Sequence, residues 1–312
     1  MNPNSAFTLA AFLFTALRMS VPLTLAGIGE TISEKVGILN IGIEGIMLMG
    51  AFMGFLGSYM TGSSVIGLLL GVFFGIVIAL IHGFLSINAR GDQNVIGLAI
   101  NFLVLGLTSF VFLIFFGQSA ELPSIGIIPT MNIPVLSQIP FVGEILFRQD
   151  IIVYLMYIIL TASMIILYRT EWGVQMTAVG ENPKAADNAG IDVVKARYLA
   201  CIINGALGGL AGAYMTVVQF GFFIENITAG RGYIALAAVT LGRRNPLGVF
   251  LAALVIGGTE AIQFTLQTAG INIPSQFFTM LPYVVSIIVL LLSIGKSSDP
   301  SALGRPFVRD ER

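Results

Sequence analysis

The chain consists mainly of long apolar stretches separated by short polar segments. A transmembrane helix needs about 20 consecutive apolar residues, because lipid offers no hydrogen-bond partners to an open backbone. The predicted spans are residues 7–29, 36–60, 63–88, 95–118, 151–168, 197–221, 232–242, 247–267 and 277–295. This pattern predicts an all-α integral membrane protein, a polytopic helical bundle of about nine spans, within a range of eight to ten.

The overall composition favours the same class. Hydrophobic residues make up 56% of the 312 residues and charged residues only 10%, whereas a soluble domain carries about 25% charged residues. The mean hydropathy is +0.93. The formal net charge of −1 argues against a nucleic-acid partner. The single cysteine, Cys201, can form no internal disulfide and no cysteine-based metal cluster.

Two of the predicted spans do not fit an ordinary crossing helix. The seventh, 232–242, is too short to cross a bilayer. The second contains Gly45, Gly50 and Gly54, which weaken a helix. Either span is therefore a candidate for a broken or re-entrant helix.

The distribution of Lys and Arg predicts the orientation, since cytoplasmic loops carry the excess of these residues. One set of alternate loops holds Lys35, Arg90, Arg169, Lys184, Lys195, Arg197, Arg243, Arg244, Lys296, Arg305, Arg309 and Arg312. The other set holds Arg148 and Arg231. We therefore expect a cytoplasmic loop at 169–196, a cytoplasmic tail at 296–312, an external N-terminus and a proline-rich external connection at 119–150.

No stretch of the sequence predicts a catalytic site. Potential nucleophiles, bases and metal ligands are few and scattered, so neither an enzymatic activity nor a metal site is expected. The tail sequence SIGKSS resembles the end of a phosphate loop. That motif requires a glycine five positions before Gly295, where this chain has Leu290. Any nucleotide must therefore bind to another chain.

Ionisable residues inside the predicted spans are candidates for function, because charge is costly in lipid. They are Arg18, Glu44, His82 and Glu260. In one interpretation, Arg18 neutralises a carboxylate within the bundle. In the other, Asn40 and Glu44, four residues apart and so on one helix face, line a polar pathway for a hydroxyl-rich solute together with Asn101. Both alternatives remain open.

The loop at 169–196 carries signals for a short helix. Asn182 suits the N-cap, Pro183 suits the first helical position, and Gly190 suits the end of the helix. We predict a helix at 183–189 that is either an ordinary solvated helix or a rigid element that contacts a cytoplasmic partner. The candidate contact residues are Glu181, Asn182, Pro183, Lys184, Ala185, Ala186, Asp187, Asn188, Ala189 and Gly190.

Two stretches resemble a known family. ISEKVGILNIGIEGIMLMGAF at 32–52 and AVGENPKAADNAGI at 178–191 are similar to motifs in the permease subunits of bacterial ATP-binding-cassette importers for ribose-like sugars and nucleosides. The resemblance covers essentially the whole chain. The first motif is more similar to the nucleoside-type branch, whereas neither motif separates purine from pyrimidine nucleosides, ribose, galactose or riboflavin.

The resemblance implies a single permease domain over 1–312 in the bacterial cytoplasmic membrane. It also implies a second homologous permease subunit, different or identical, and two ATPase subunits that bind ATP and Mg. A periplasmic or lipid-anchored solute-binding protein would deliver the solute, and the loop helix would couple to the ATPase. A stand-alone secondary transporter or channel, and a membrane-embedded enzyme or scaffold, are the alternative classes.

Overall fold

A computed structural model describes residues 9–117, 122–134, 136–139, 142–268, 275–293 and 299–308. These residues form helices and connecting segments, with an isolated β-bridge between Ser124 and Phe222. The helices are α1 (Leu9–Lys35), α2 (Ile43–Thr61), α3 (Ser64–Gly83, continued by a π-helical turn Phe84–Asn88), α4 (Gln93–Phe116), α5 (Val142–Leu146), α6 (Ile151–Arg169), α7 (Glu171–Glu181), α8 (Pro183–Asn188), α9 (Val193–Tyr214, continued by a π-helical turn Met215–Phe220), α10 (Arg231–Leu241), α11 (Pro246–Thr268) and α12 (Ser275–Ser293). A short 3₁₀ turn, Leu136–Gln138, precedes α5.

The prediction of a polytopic helical membrane bundle agrees with this architecture. Within the described ranges, seven helices are long and apolar enough to cross a membrane: α1, α2, α3, α4, α6, α9 and α11. The helix α12 has 19 residues, and α10 has only 11. The count of about nine spans is therefore not confirmed and stays a prediction.

The helices α2 and α9 form the centre of the bundle. Within an apolar stretch of 18 residues in each helix, 83% of the residues are buried in α2 and 78% in α9, whereas only 22% are buried in α4. Glycines let these two helices and α3 pack backbone against backbone. A side-chain carbon on Gly212 would lie 1.8 Å from the Met47 carbonyl oxygen, and one on Gly75 would lie 2.4 Å from that of Gly205. Glycines four residues apart thus lie at close helix contacts: Gly71 and Gly75 on α3, and Gly208 and Gly212 on α9.

The prediction of a second span at 36–60 was wrong at its beginning. Lys35 ends α1, and Gly37 adopts a left-handed conformation with φ of +84°. The chain then runs without regular helix to Gly42, and α2 begins at Ile43. From there α2 is continuous to Thr61, so its glycines do not interrupt it. The break falls before the helix rather than inside it.

The short helix α10 follows a non-helical segment, 221–230, that descends through the bundle. Midway along this segment Ser109 Oγ donates to Glu225 Oε1, while beyond its end Tyr233 Oη accepts from Asn101 Nδ2. Ser109 and Asn101 are eight residues apart on α4, which corresponds to about 12 Å along the helix. The seventh predicted span is therefore a partial crossing, as its length suggested.

Many of the basic residues gather at one end of the bundle. The Lys35 ammonium lies 5.9 Å from the centre of the Tyr168 ring, and Arg244 forms ion pairs with both Glu34 and Asp299. The loop that contains α7 and α8 lies at this end, which we call the basic end.

The connection predicted at 119–150 lies at the opposite end, within the ranges that the structure describes. The N–H of Ile125 donates to the carbonyl oxygen of Gly221 at 2.8 Å, and that of Met131 to Gln149 at 2.8 Å. The segment is largely extended, with α5 as a short helix. Residues 118–121, 135 and 140–141 lie outside the described residues.

Candidate translocation site and coupling surface

The carboxylate of Glu44 caps the N-terminus of α10. One oxygen accepts hydrogen bonds from Thr228 Oγ1 at 2.6 Å and from the Gly230 N–H at 2.8 Å. The other accepts from the Gly232 N–H at 2.6 Å. The first N–H groups of a helix have no internal partner and carry partial positive charge. Glu44, which is only 7% exposed, supplies the matching negative charge inside the bundle.

Close approach of two backbones makes this cap possible. A side-chain carbon on Gly232 would lie 2.5 Å from the Cα of Glu44. A larger residue at 232 would therefore push α10 away from the beginning of α2. The glycine is required here because the two helix N-termini almost touch.

Asn101 of α4 links the same two helices. Its carbonyl oxygen accepts from the Gly45 N–H at 2.7 Å in the first turn of α2. Its amide group donates to the Ile41 carbonyl oxygen at 3.0 Å and to Tyr233 Oη at 2.8 Å. The structure therefore brings Asn101 and Glu44 together at the point where α2 and α10 begin.

Asn40 belongs to a different buried cluster. Its backbone N–H donates to Glu30 Oε1 at 2.8 Å, and its side chain donates to Asn204 Oδ1 at 2.8 Å. The Asn204 amide in turn donates to Glu30 Oε2 at 2.7 Å. Because Asn40 precedes α2, the argument that Asn40 and Glu44 share a helix face was wrong. A role for these residues in the translocation pathway stays a prediction.

Sequence reasoning missed Glu30 because the first span was ended at residue 29. The helix continues to Lys35, which places Glu30 inside it, fully buried. The signal was available in the apolar residues Ile28 and Ile32 on either side of Glu30. A longer first span would have added this carboxylate to the intramembrane candidates.

The two intramembrane charges at Arg18 and Glu260 have separate partners. Arg18 Nε lies 3.5 Å from Asp150 Oδ2, so its partner is neither Glu44 nor Glu260. Burial raises the pKa of the Asp150 carboxyl, and the Arg18 guanidinium opposes that rise. Glu260 binds Arg231 through two contacts of 3.2 and 3.3 Å. Arg231 is therefore an ion-pair partner within the bundle and not a residue of an external loop.

The predicted short helix in the 169–196 loop is present as α8. The Asn182 side chain accepts from the Ala185 N–H at 3.0 Å, and Pro183 occupies the first turn. The helix ends at Asn188, one residue earlier than predicted, and Gly190 has the expected left-handed φ of +88°. Both cap assignments are confirmed.

One proposed contact residue of α8 faces inward. Ala186 is only 3% exposed and packs in an apolar cluster with residues such as Val36 and Val193. Ala185 and Ala189 are exposed. A substitution at Ala186 would therefore disturb the bundle itself, whereas Ala185 and Ala189 are accessible to a partner.

The structure adds a helix, α7, that the sequence analysis did not predict. Thr170 caps it by accepting from the Gly173 N–H at 3.3 Å, and Glu171 lies in its first turn. A cap residue followed by an acidic residue was the available signal. The helix α7 leads directly into α8 and gives it a rigid base.

The tail holds this base against the end of α1. The Gly180 carbonyl oxygen accepts from the Ala302 N–H at 2.9 Å, and Glu181 Oε2 accepts from Ser301 Oγ at 2.9 Å. The N–H of Gly304 donates to the Gly37 carbonyl oxygen at 3.1 Å. Residues 299–305, which we call the tail clamp, thus connect the base of α8 to the turn that leads into α2.

A polytopic bundle with a partial helix capped in its interior, and a rigid exposed helix at its basic end, is the architecture expected of a membrane transport subunit. Residues 12–293 match the family described as "Branched-chain amino acid transport system / permease component". The chain belongs to this family and is a multi-pass membrane protein. Family membership agrees with the resemblance found in the sequence.

Individual relatives match over nearly the full chain. The nucleoside ABC transporter permease protein NupC of Lactococcus lactis is 34% identical, over 99% of this chain and 100% of the relative. The guanosine ABC transporter permease protein NupQ of Bacillus subtilis is 35% identical, over 94% and 95%. An ABC transporter of the metal-chelate type, solved in an inward-facing conformation, shares the fold. Its TM-score is 0.51 at 17% identity, over 91% of this chain and 85% of the other.

We predict that Glu44→Gln weakens the cap of α10. The amide has one accepting oxygen, and its NH₂ group would face an N–H donor, so the helix loses charge-assisted hydrogen bonds worth about 2 kcal/mol. Unfolding can be followed with a thiol-reactive dye, because Cys201 is the only cysteine and is 2% exposed. The midpoint should fall by several degrees, and uptake should fall with it.

Glu225→Gln is the matched control for this variant. Glu225 is an exposed carboxylate that accepts from Ser109 Oγ at 2.9 Å, so its replacement should leave the midpoint within a degree of the wild type. An equal midpoint for the Glu44 and Glu225 variants would show that Glu44 does not hold α10.

Proposed function

We propose that the chain is a permease subunit of an ATP-binding-cassette importer and forms the translocation pathway for a nucleoside or a related solute. The observation that carries this proposal is the 34% identity to a nucleoside permease over 99% of the chain. The two networks at the beginnings of α2 and α10 support it, because partial helices in a bundle are a common way to build a solute pathway.

The complete importer would contain this chain, a second homologous permease subunit, identical or different, and two ATPase subunits that bind ATP and Mg. A periplasmic or lipid-anchored binding protein would deliver the solute. Alternating access of the pathway would be driven from the ATPases, since the sequence of this chain lacks a complete phosphate loop. In this assembly the chain transports and the partners hydrolyse ATP.

We expect the assembled complex, reconstituted in proteoliposomes with its binding protein, to take up radiolabelled guanosine only when ATP reaches the ATPase subunits. A non-hydrolysable ATP analogue should support no uptake, and unlabelled uridine, ribose and glucose added in excess define the solute range. ATP-dependent uptake of a hexose without uptake of any nucleoside would overturn the substrate assignment.

The basic end is proposed to face the cytoplasm, with the N-terminus outside. Its support is the clustering of Lys35, Arg244 and the α7–α8 loop at one end of the bundle, together with the general excess of Lys and Arg in cytoplasmic loops. The chain would then lie in the bacterial cytoplasmic membrane with a cytoplasmic tail at 296–312.

Fusions after Arg312 test this orientation. A fluorescent protein that matures only in the cytoplasm should be bright there, and alkaline phosphatase, which is active only in the periplasm, should be inactive. The opposite pair of results would reverse the topology.

The segment Glu181–Gly190 is proposed to couple the permease to an ATPase subunit. The helix α8 is capped at both ends and stands on a base held by the tail clamp. Ala185 in the helix and Ala189 at its C-cap are exposed. A groove of about 480 Å³ lies beside it, lined in part by Asp187 and Arg90. A helix held in this way can transmit a displacement of the ATPase instead of absorbing it.

We expect Ala185→Arg to uncouple the complex. The added bulk and charge would lie in the contact with the ATPase, so uptake and the stimulation of ATP hydrolysis by loaded binding protein should both fall at least about tenfold, which is about 1.4 kcal/mol. The unfolding midpoint should not change, because Ala185 is exposed.

Ala185→Ser is the control at the same position, since it changes neither size nor charge appreciably and should behave as the wild type. Ala186→Arg should instead impair folding. If Ala185→Arg retained normal stimulated hydrolysis and uptake, α8 would be an ordinary solvated helix.

A further inference from the structure

Two tyrosines stand on either side of the beginning of α10. Tyr233, in its first turn, is 42% exposed, and Tyr283 of α12 is 43% exposed. Each of the two hydroxyl groups forms a hydrogen bond within the protein. Tyr233 Oη accepts from Asn101 Nδ2 at 2.8 Å, and Tyr283 Oη donates to the Ala229 carbonyl oxygen at 2.6 Å. The rings are therefore fixed in orientation while a large part of their surface remains uncovered.

Both rings approach the same glycine. A side-chain carbon on Gly230 would lie 3.8 Å from Tyr233 Cδ2 and 3.9 Å from Tyr283 Cε1. Gly230 also has φ of +82°, a conformation that other residues rarely adopt. Two aromatic rings thus flank a stretch of backbone that carries no side chain.

The two tyrosines lie too deep in the bundle to be at the surface of the membrane. Tyr233 is bound to Asn101, which lies eight residues beyond the first residue of α4, or about 12 Å along the helix. The hydrocarbon core of a bilayer is about 30 Å thick. The tyrosines therefore lie near the middle of the membrane.

The adjacent backbone indicates that water reaches this depth. Non-helical backbone is tolerated inside a membrane only where it is buried in protein or lines a water-filled cavity. The segment 221–230 is non-helical, and its residue Ala229, whose carbonyl oxygen accepts from Tyr283 Oη, is exposed. Exposed non-helical backbone at this depth requires an aqueous cavity, so the exposed tyrosine surfaces beside Ala229 border that cavity.

We propose that Tyr233 and Tyr283 are the residues against which the base of a nucleoside stacks as it passes through the membrane, an inference that rests on the proposed function. Every nucleobase has a π-face, and stacking on an aromatic side chain requires no specific hydrogen bonds. Such a surface accepts several bases while holding none of them tightly, as a transport pathway requires. The hydroxyl bonds position the rings in advance, so little side-chain freedom is lost on contact.

Replacement of each tyrosine by leucine removes the ring while keeping an apolar side chain. In the reconstituted complex with saturating binding protein, Tyr283→Leu and Tyr233→Leu should each lower the maximal rate of guanosine uptake about tenfold. Uridine, with its smaller base, should be affected less. Tyr283→Phe keeps the stacking surface and should retain at least half of the wild-type rate.

Tyr168→Leu is the matched control, because Tyr168 is 49% exposed on α6 at the basic end. Its uptake should equal that of the wild type. Wild-type rates in both leucine variants at positions 233 and 283 would overturn this inference while leaving the proposed function intact. Failure of the wild-type complex to import any nucleoside would overturn both.

Photolabelling separates direct contact from a structural effect. 8-Azidoguanosine, irradiated in the assembled wild-type complex during turnover, should label peptides that contain Tyr233 or Tyr283, and Tyr283→Phe should still be labelled. Because the labelling uses only the wild-type and Tyr283→Phe complexes, it tests the proposal even if the leucine variants fail to assemble. Labelling confined to peptides that contain neither tyrosine would overturn the assignment.

Discussion

The contact between the Glu44 carboxylate and the N-terminus of α10 organises the centre of this molecule. A helix that begins inside a bilayer leaves N–H groups that lipid cannot satisfy, and a carboxylate inside a bilayer needs a positive partner. The Glu44 carboxylate accepts three hydrogen bonds here, two of them from N–H groups at the beginning of α10. The carboxylate and the helix N-terminus therefore stabilise each other. Because Glu44 is itself in the first turn of α2, the cap also fixes where α2 begins and where the non-helical segment 221–230 must run.

Features that depend on neighbouring residues along the chain could be predicted from the sequence. The apolar stretches predicted a helical membrane bundle, and the length of 232–242 indicated that the seventh stretch is too short for an ordinary crossing helix. Asn182 and Gly190 were identified as the caps of α8 because capping depends on residue types a few positions apart. These predictions succeeded because the forces involved act within one or two helical turns.

Features that depend on contacts between distant segments could not be predicted. Arg18 is paired with Asp150, more than a hundred residues away, and nothing in hydropathy distinguishes that carboxylate from Glu44. The chain forms no regular helix from the left-handed Gly37 to Gly42, so Asn40 lies outside α2, which invalidated an argument based on helical spacing. Ala186 looked suitable for a partner because it is small, yet the neighbouring segments bury it. The argument about Asn40 assumed a regular helix, and the argument about Ala186 assumed an exposed surface. Tertiary packing determines the structure at both positions.

The tail clamp has a consequence for the biogenesis of the protein. Residues 299–305 follow every segment that they hold, so the ribosome makes them after α1, α7 and α8. Until then Gly37 and Gly180 lack the N–H partners that Gly304 and Ala302 later provide, and Arg244 lacks Asp299. The surface presented by α8 therefore acquires this support only after residues 299–305 have been made. A chain that stopped before residue 299 would present that helix on a base without these hydrogen bonds.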